Sequence, residues 1–166
     1  MKKENKSQSH HLAAFIGGLV IGIAITAFLV TFSMPKMMIK VHKSSLSFEE
    51  TVSSIEQGFK AAGWKVPKIY NLQKSLTDAG QGDVGQVNVL SVCAPEHAYE
   101  ILKADNRKKV TAMMPCRIGV FEDNKGNVYI SEMNVGLMSK MFGGVIEKTM
   151  GKVASEEKEI LEKIYE

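Results

Sequence analysis

The chain has two cysteines, Cys93 and Cys116, each close to a proline: Ala94-Pro95 follows the first and Met114-Pro115 precedes the second. A thiol acts as nucleophile, redox partner or metal ligand only as its thiolate, so the groups around it decide its chemistry. Pro95 is suited to the first position of a helix. The unpaired amides of a helix starting there would favour a thiolate at Cys93. Arg117 follows Cys116 with a fixed positive charge, although adjacent strand residues point to opposite faces. His97 lies four residues after Cys93, and Met113 and Met114 stand just ahead of Cys116. Together with the two cysteines they make a possible soft ligand set for copper(I).

Four readings of this pair compete. Buried, unreactive cysteine is the ordinary condition of a free thiol. A structural disulfide fits an oxidising compartment. A thiol-redox or soft-metal site fits the neighbours just named, but no CxxC or HxxxH spacing supports it, and a lone His97 is more often a surface or capping residue. Nucleophilic catalysis lacks an identifiable partner base. No other reaction signature is present: Gly80-Gln81-Gly82 is not followed by the Gly-Lys-Ser/Thr of a phosphate loop. Glu49, Glu50, Glu122 and Asp123 occupy capping or turn positions. No cofactor is implied, and the sequence favours a protein without catalysis of its own.

Location is written more plainly than chemistry. Residues 12–32 form an uncharged apolar run, which as a helix spans about 31 Å, one bilayer core. A cleaved signal peptide is the competitor, given Lys2, Lys3 and Lys6 ahead of the run. Against it, the run exceeds the roughly 7–15 residues of a signal core, and Thr31-Phe32-Ser33 is a poor cleavage site. Lys2, Lys3 and Lys6 on one side balance Lys36, Lys40 and Lys43 on the other, so the positive-inside count is a tie. The free amino terminus tips the tail toward the cytoplasm and the C-terminal domain outside. Gly18 and Gly22 have the G-x-x-x-G spacing that permits close helix pairing, although glycine is common in membrane helices anyway.

The net charge of +3 is concentrated at the anchor. Residues 1–35 carry three lysines against Glu4, leaving 18 basic and 17 acidic side chains for residues 36–166. Arg107-Lys108-Lys109 is the only basic cluster in that nearly neutral stretch, so nucleic acid is not expected as a partner. The expected organisation is a basic tail 1–11, a transmembrane helix 12–32, a stalk 33–37 and one domain 38–166, the usual size for a single core.

Within the domain, 37–41 reads as a first strand. Ser47 and Glu50 form a capping box ahead of Phe48, Val52, Ile55 and Phe59, whose spacing predicts a helix over 48–62. Strands follow over 64–72, with Pro67 suggesting an edge or bulge, and over 86–93, separated by a loop at 77–85. A helix opens at Pro95 with Ala98, Ile101 and Leu102 on its apolar face. Runs 116–121 and 127–132 flank a turn ending at Gly126 and make the clearest hairpin. Residues 133–150 are methionine-rich and broken by Gly143-Gly144. Leu137, Met141 and Val145 recur at four-residue spacing, which admits a short helix, a kink and a second helix, and the methionines read either as adaptable core or as a pliable apolar groove. A last helix over 153–165 should carry Ile160, Leu161 and Ile164 inward and its acidic residues outward. This order predicts an α+β fold with a mostly antiparallel sheet and helices packed on it.

The run Val89-Leu90-Ser91-Val92-Cys93-Ala94-Pro95 with Ala98 and Leu102, then Met114-Pro115-Cys116-Arg117-Ile118-Gly119-Val120 before the turn at Gly126, resembles the domain of unknown function family 302. The similarity spans roughly 41–138, and Pro-Cys-Arg ahead of an alternating strand is its most specific part. The resemblance implies a small α+β fold of the TATA-binding-protein-like type, often a homodimer, with no established reaction. Asn134-Val135 departs from the Asx-Pro pair usual after the hairpin, and the membrane anchor lies outside the family's domain. The resulting expectation is a domain anchored in a lipid bilayer that binds an unspecified ligand or partner. Its rival is a thiol-redox or soft-metal-handling protein using Cys93 and Cys116.

Overall fold

The structure, a computed structural model, describes residues 4–165, so residues 1–3 of the basic tail, with Lys2 and Lys3, lie outside the described residues, as does Glu166. The chain divides into two units at Met37/Met38. The first is a single helix, α1, Glu4–Met38. Residues 33–37 are helical and extend α1 beyond the apolar run, where a short stalk was expected, with Pro35 inside the helix and Lys36 in its last turn. Its segment Ala14–Met38 contains an 18-residue window with a mean hydropathy of 2.4 and is long and apolar enough to cross a membrane. Thr26 and Thr31 donate their hydroxyls to the carbonyls of Gly22 and Ala27, at 2.9 and 2.8 Å, so neither presents an unsatisfied donor.

The second unit is built on five antiparallel strands: β1 Ile39–Lys43, β2 Lys65–Asn71, β3 Val87–Cys93, β4 Cys116–Glu122 and β5 Val128–Met133. Their spatial order is β1-β5-β4-β3-β2. The hairpin β4-β5 lies inside the sheet, flanked by β1 and β3, and its turn is strongly specified: Asp123 Oδ1 accepts from the amides of Lys125 and Asn127, both at 2.9 Å, and Gly126 takes φ 79°. β3 pairs with β4 in the register Val92 to Cys116 and Leu90 to Ile118. β2 joins β3 with a register shift between Lys65 and Lys68, around Pro67.

Helices α2 Phe48–Ala61 and α6 Gly144–Leu161 cover one face of this sheet. The predicted capping box holds α2, with the Ser47 amide donating to Glu50 Oε2 at 3.1 Å and the Ser47 hydroxyl accepting from the Glu50 amide at 3.4 Å. Phe48, Ile55 and Phe59 from α2, and Val153, Ile160 and Leu161 from α6, meet Leu90, Val92, Ile118, Val120 and Ile130 from the sheet. The helices approach closely at Gly58, where a Cβ would lie 2.9 Å from Ile160 Cγ2. This makes the second unit an α+β domain with an antiparallel sheet, as the order of elements predicted.

Further details differ from the sequence expectations, beginning with β1, which runs Ile39–Lys43 where a strand over 37–41 was expected. A helix, α3 Leu72–Asp78, takes up Leu72 and the start of the expected 77–85 loop, because Asn71 Oδ1 accepts the Lys74 amide at 2.7 Å and caps it. The last helix begins at Gly144, not near 153, directly after a short α5, Val135–Ser139. Gly143 and Gly144 at φ 65° and 59° supply the break between them. Nor are the acidic residues of α6 all outward: Glu157 is only 3% exposed. It follows Val153 by four residues and precedes Ile160 by three, which places it on the core stripe.

Candidate functional site

Cys93 ends β3, Cys116 begins β4, and α4, Pro95–Leu102, starts two residues after Cys93. Val92 faces Cys116 across the ladder, so the two thiols are brought to the same end of the sheet. Both are free thiols. They line a small apolar cavity of about 20 Å³ together with Trp64, His97, Met114 and Met150. That is room for roughly one water molecule.

Of the remaining sequence candidates, Met113 and Arg117 do not reach this cavity. Met113 lines a second apolar cavity, also of about 20 Å³, with Val110, Phe142 and Ile146. Arg117 points away from Cys116, as strand alternation requires, and lies 5.4 Å from the Tyr70 ring centre. Met114 and Met150 line both cavities and so form the wall between them. Val110 and Met113 belong to a 3-10 segment, Asp105–Met113, whose Val110 packs with Ile101 and Ile146 in a small satellite core.

The thiols are not activated. Burial pushes the Cys93 thiol up, opposite to the lowering expected from the start of α4. Burial pushes Cys116 up to about 12, with further contributions from the charges of Glu157 and Cys93. Desolvation outweighs the helix-end effect because it acts directly on the buried anion. His97 does not serve as a base for either thiol through Nε2, which faces Glu156 Oε1 at 2.7 Å. A carboxylate only accepts, so Nε2 carries the proton. The other oxygen of Glu156 accepts from Trp64 Nε1 at 3.1 Å. Glu156 therefore fixes two walls of the cavity from α6, and the sequence reading missed it together with Trp64, whereas Met150 belongs to the methionine-rich stretch it offered as an apolar groove. Its carboxylate is legible only in three dimensions, since its partners lie 59 and 92 residues away.

A second cluster sits elsewhere beneath α6. Glu132 continues the inward series Val128 and Ile130 on β5 and is 5% exposed. Lys40 Nζ donates to its Oε1 at 3.1 Å. Burial holds the Glu157 carboxyl well above the usual carboxylate range, aided by a hydrogen bond to Glu132 and by the charge of Glu132. Glu157 Oε2 and the hydroxyl of Tyr165 are buried without a hydrogen-bond partner among the described residues. Here the sequence did carry a signal: an acid at the inward position of an alternating strand and another on a core stripe. None of the cavities described above is lined by Glu132 or Glu157. Among the described residues, no group of three or more His, Cys, Asp or Glu is arranged to hold a metal ion.

Comparison with known proteins agrees with the sequence resemblance. The chain is similar to the crystal structure of an uncharacterized conserved DUF302 protein from Bacillus stearothermophilus, with a TM-score of 0.69 and 19% identity over 77% of this chain and 98% of that one. At that identity the likeness speaks for the fold alone. No curated protein matches the chain. The family profile described as "Domain of unknown function DUF302" matches residues 40–166. With that match covering all but the first few residues of the second unit, the chain belongs to the DUF302 family.

Proposed function

We propose that this protein is a membrane-anchored binding domain whose ligand site is the thiol- and methionine-lined cleft, with no reaction of its own. One observation carries the reading: two small apolar cavities share Met114 and Met150 in their walls. Methionine side chains adapt easily to irregular space, so this wall can yield to an apolar guest. The anchor is α1, whose Phe15, Leu19, Ile23, Phe28 and Phe32 are each more than half exposed. Without a bilayer this surface would be an aggregation hazard. The domain is placed outside the cytoplasmic membrane, and a C-terminal reporter active on only one side tests that orientation.

The rival reading, thiol redox or soft-metal handling, is favoured by Cys93, Cys116, His97 and Met114 lining one cavity. Against it stand the raised thiols, since exchange proceeds through the thiolate. Thiol modification of the full chain at neutral pH separates the two. The binding reading expects slow reaction at half-buried Cys93, reaction of Cys116 only on unfolding, and slowing of Cys93 by bromobenzene, a neutral apolar guest. Fast reaction of both thiols in the folded protein would favour the redox reading. For copper(I), an unchanged competition curve after Cys116→Ser removes the metal version.

A further inference from the structure

The second cavity does not end in the core. Phe142 and Ile146, on its outer wall, also line an open cleft of about 380 Å³ whose other residues include Arg107, Lys109, Met141 and Val145. The three spaces therefore follow one another, each sharing two residues with the next, from the thiols to the surface. Their chemistry is graded: mainly sulfur and hydrocarbon inside, with His97 and Ser139 as polar exceptions, two cations at the mouth, and no acidic side chain lining any of the three.

The mouth is unusual in two respects. Met141 is 77% exposed and Phe142 40%, beside glycines that form the α5–α6 break. Lys109 carries no ion pair among the described residues, whereas its neighbour Lys108 is held by Asp105 at 2.6 Å. Arg107 is fixed in place, with Nε donating to the Ile101 carbonyl at 2.9 Å and a terminal nitrogen to the Glu100 carbonyl at 3.1 Å. Those two bonds use up part of its fork, so the mouth offers charge more than bidentate geometry. Such a mouth holds an anionic headgroup by charge.

Resting on the reading of the cleft as a binding site, we infer that its ligand class is a single-chain carboxylate amphiphile. The carboxylate sits between Arg107 and Lys109, and the chain passes Phe142 and Ile146 toward Met114 and Met150. As the side chains stand, each inner cavity holds about one water. Chain entry therefore requires Met150 or Met114 to change rotamer, which unbranched methionine does readily. A membrane anchor keeps the domain where amphiphiles are concentrated.

The test is equilibrium binding of decanoate, decanol and decyltrimethylammonium to the full chain in phosphatidylcholine nanodiscs, with empty nanodiscs subtracted. Decanoate should bind at least about fivefold more tightly than decanol, the scale of one or two partly exposed charges, and the ammonium most weakly. Lys109→Glu should abolish the preference, while Lys108→Glu, at a residue that does not line the mouth, should leave it intact. Met150→Phe should weaken decanoate and decanol alike by filling the passage. Equal binding of decanoate and decanol, or a preference unchanged in Lys109→Glu, would overturn the carboxylate assignment while leaving an apolar binding site standing. Absence of binding by any of the three overturns both.

Discussion

Helix α6 crosses two buried regions of opposite character. At one, Met150 meets Trp64, Met114 and the thiols around an apolar cavity. At the other, Glu157 meets Glu132, with Lys40 and Tyr165 nearby. The acidic region has the more perturbed titration, and a shifted carboxyl is a common pointer to an active site. Yet no described cavity opens onto it, and its charge is managed internally: Lys40 pairs with Glu132 and Glu157 keeps its proton. The sulfur-rich region has inert thiols and available space. The difference teaches that a displaced pKa marks burial, whereas a ligand site also needs room.

The comparison can be broken by substitution at either end. The largest effect is expected at the apolar end, where Trp64→Ala removes an indole that is 4% exposed and packed at a tilt against Phe59, ring centres 5.0 Å apart. A loss of about 3–5 kcal/mol in chemical denaturation is expected, as for other large buried aromatics. A loss below 1 kcal/mol, on the order of an exposed site, would mean that this end is not packed as described.

At the acidic end the expected change has the opposite sign. Glu157 has a folded pKa raised above its unfolded value, so its contribution is fully present below the unfolded value and declines as pH rises toward the folded one. Between pH 5 and 8 the parent should therefore lose stability relative to Glu157→Gln by about 1.4 kcal/mol per pH unit, one proton's worth. The glutamine variant should be the more stable protein at pH 8. Parallel stability curves for the two would show that Glu157 is ionised in the folded state and that the acidic region is not a neutralised structural cluster.

Much of the fold was legible because local rules agreed with tertiary ones. Ser47 and Glu50 announced α2, Asp123 and Gly126 announced the central hairpin, and alternation in β4 correctly sent Arg117 away from Cys116. What failed were cases where one weak local signal hid another. Leu72 looked like the end of a strand until the Asn71 side chain capped a helix over it, and the helix beyond the glycine pair proved continuous with the last helix expected from 153. The site was half legible. Cys93, Cys116, His97 and Met114 do line one cavity, and the raised thiols agree with the reading as buried cysteine; what failed was the lowering expected at Cys93 from the start of α4, because burial is a property of the assembled core. Trp64, Met150 and Glu156 come from distant segments, and no spacing in the sequence links them.

The central claim, an apolar guest site at one end of α6 and a closed structural cluster at the other, is tested most directly through Trp64, the only tryptophan in the chain. Its fluorescence in nanodiscs should be quenched saturably by bromobenzene, through contact with the heavy atom inside the cavity. The quenching should be equal in the parent and in Glu157→Gln, and lost in Met150→Phe, which fills the cavity. Quenching that rises linearly without saturation, to the same extent in all three proteins, would contradict the account.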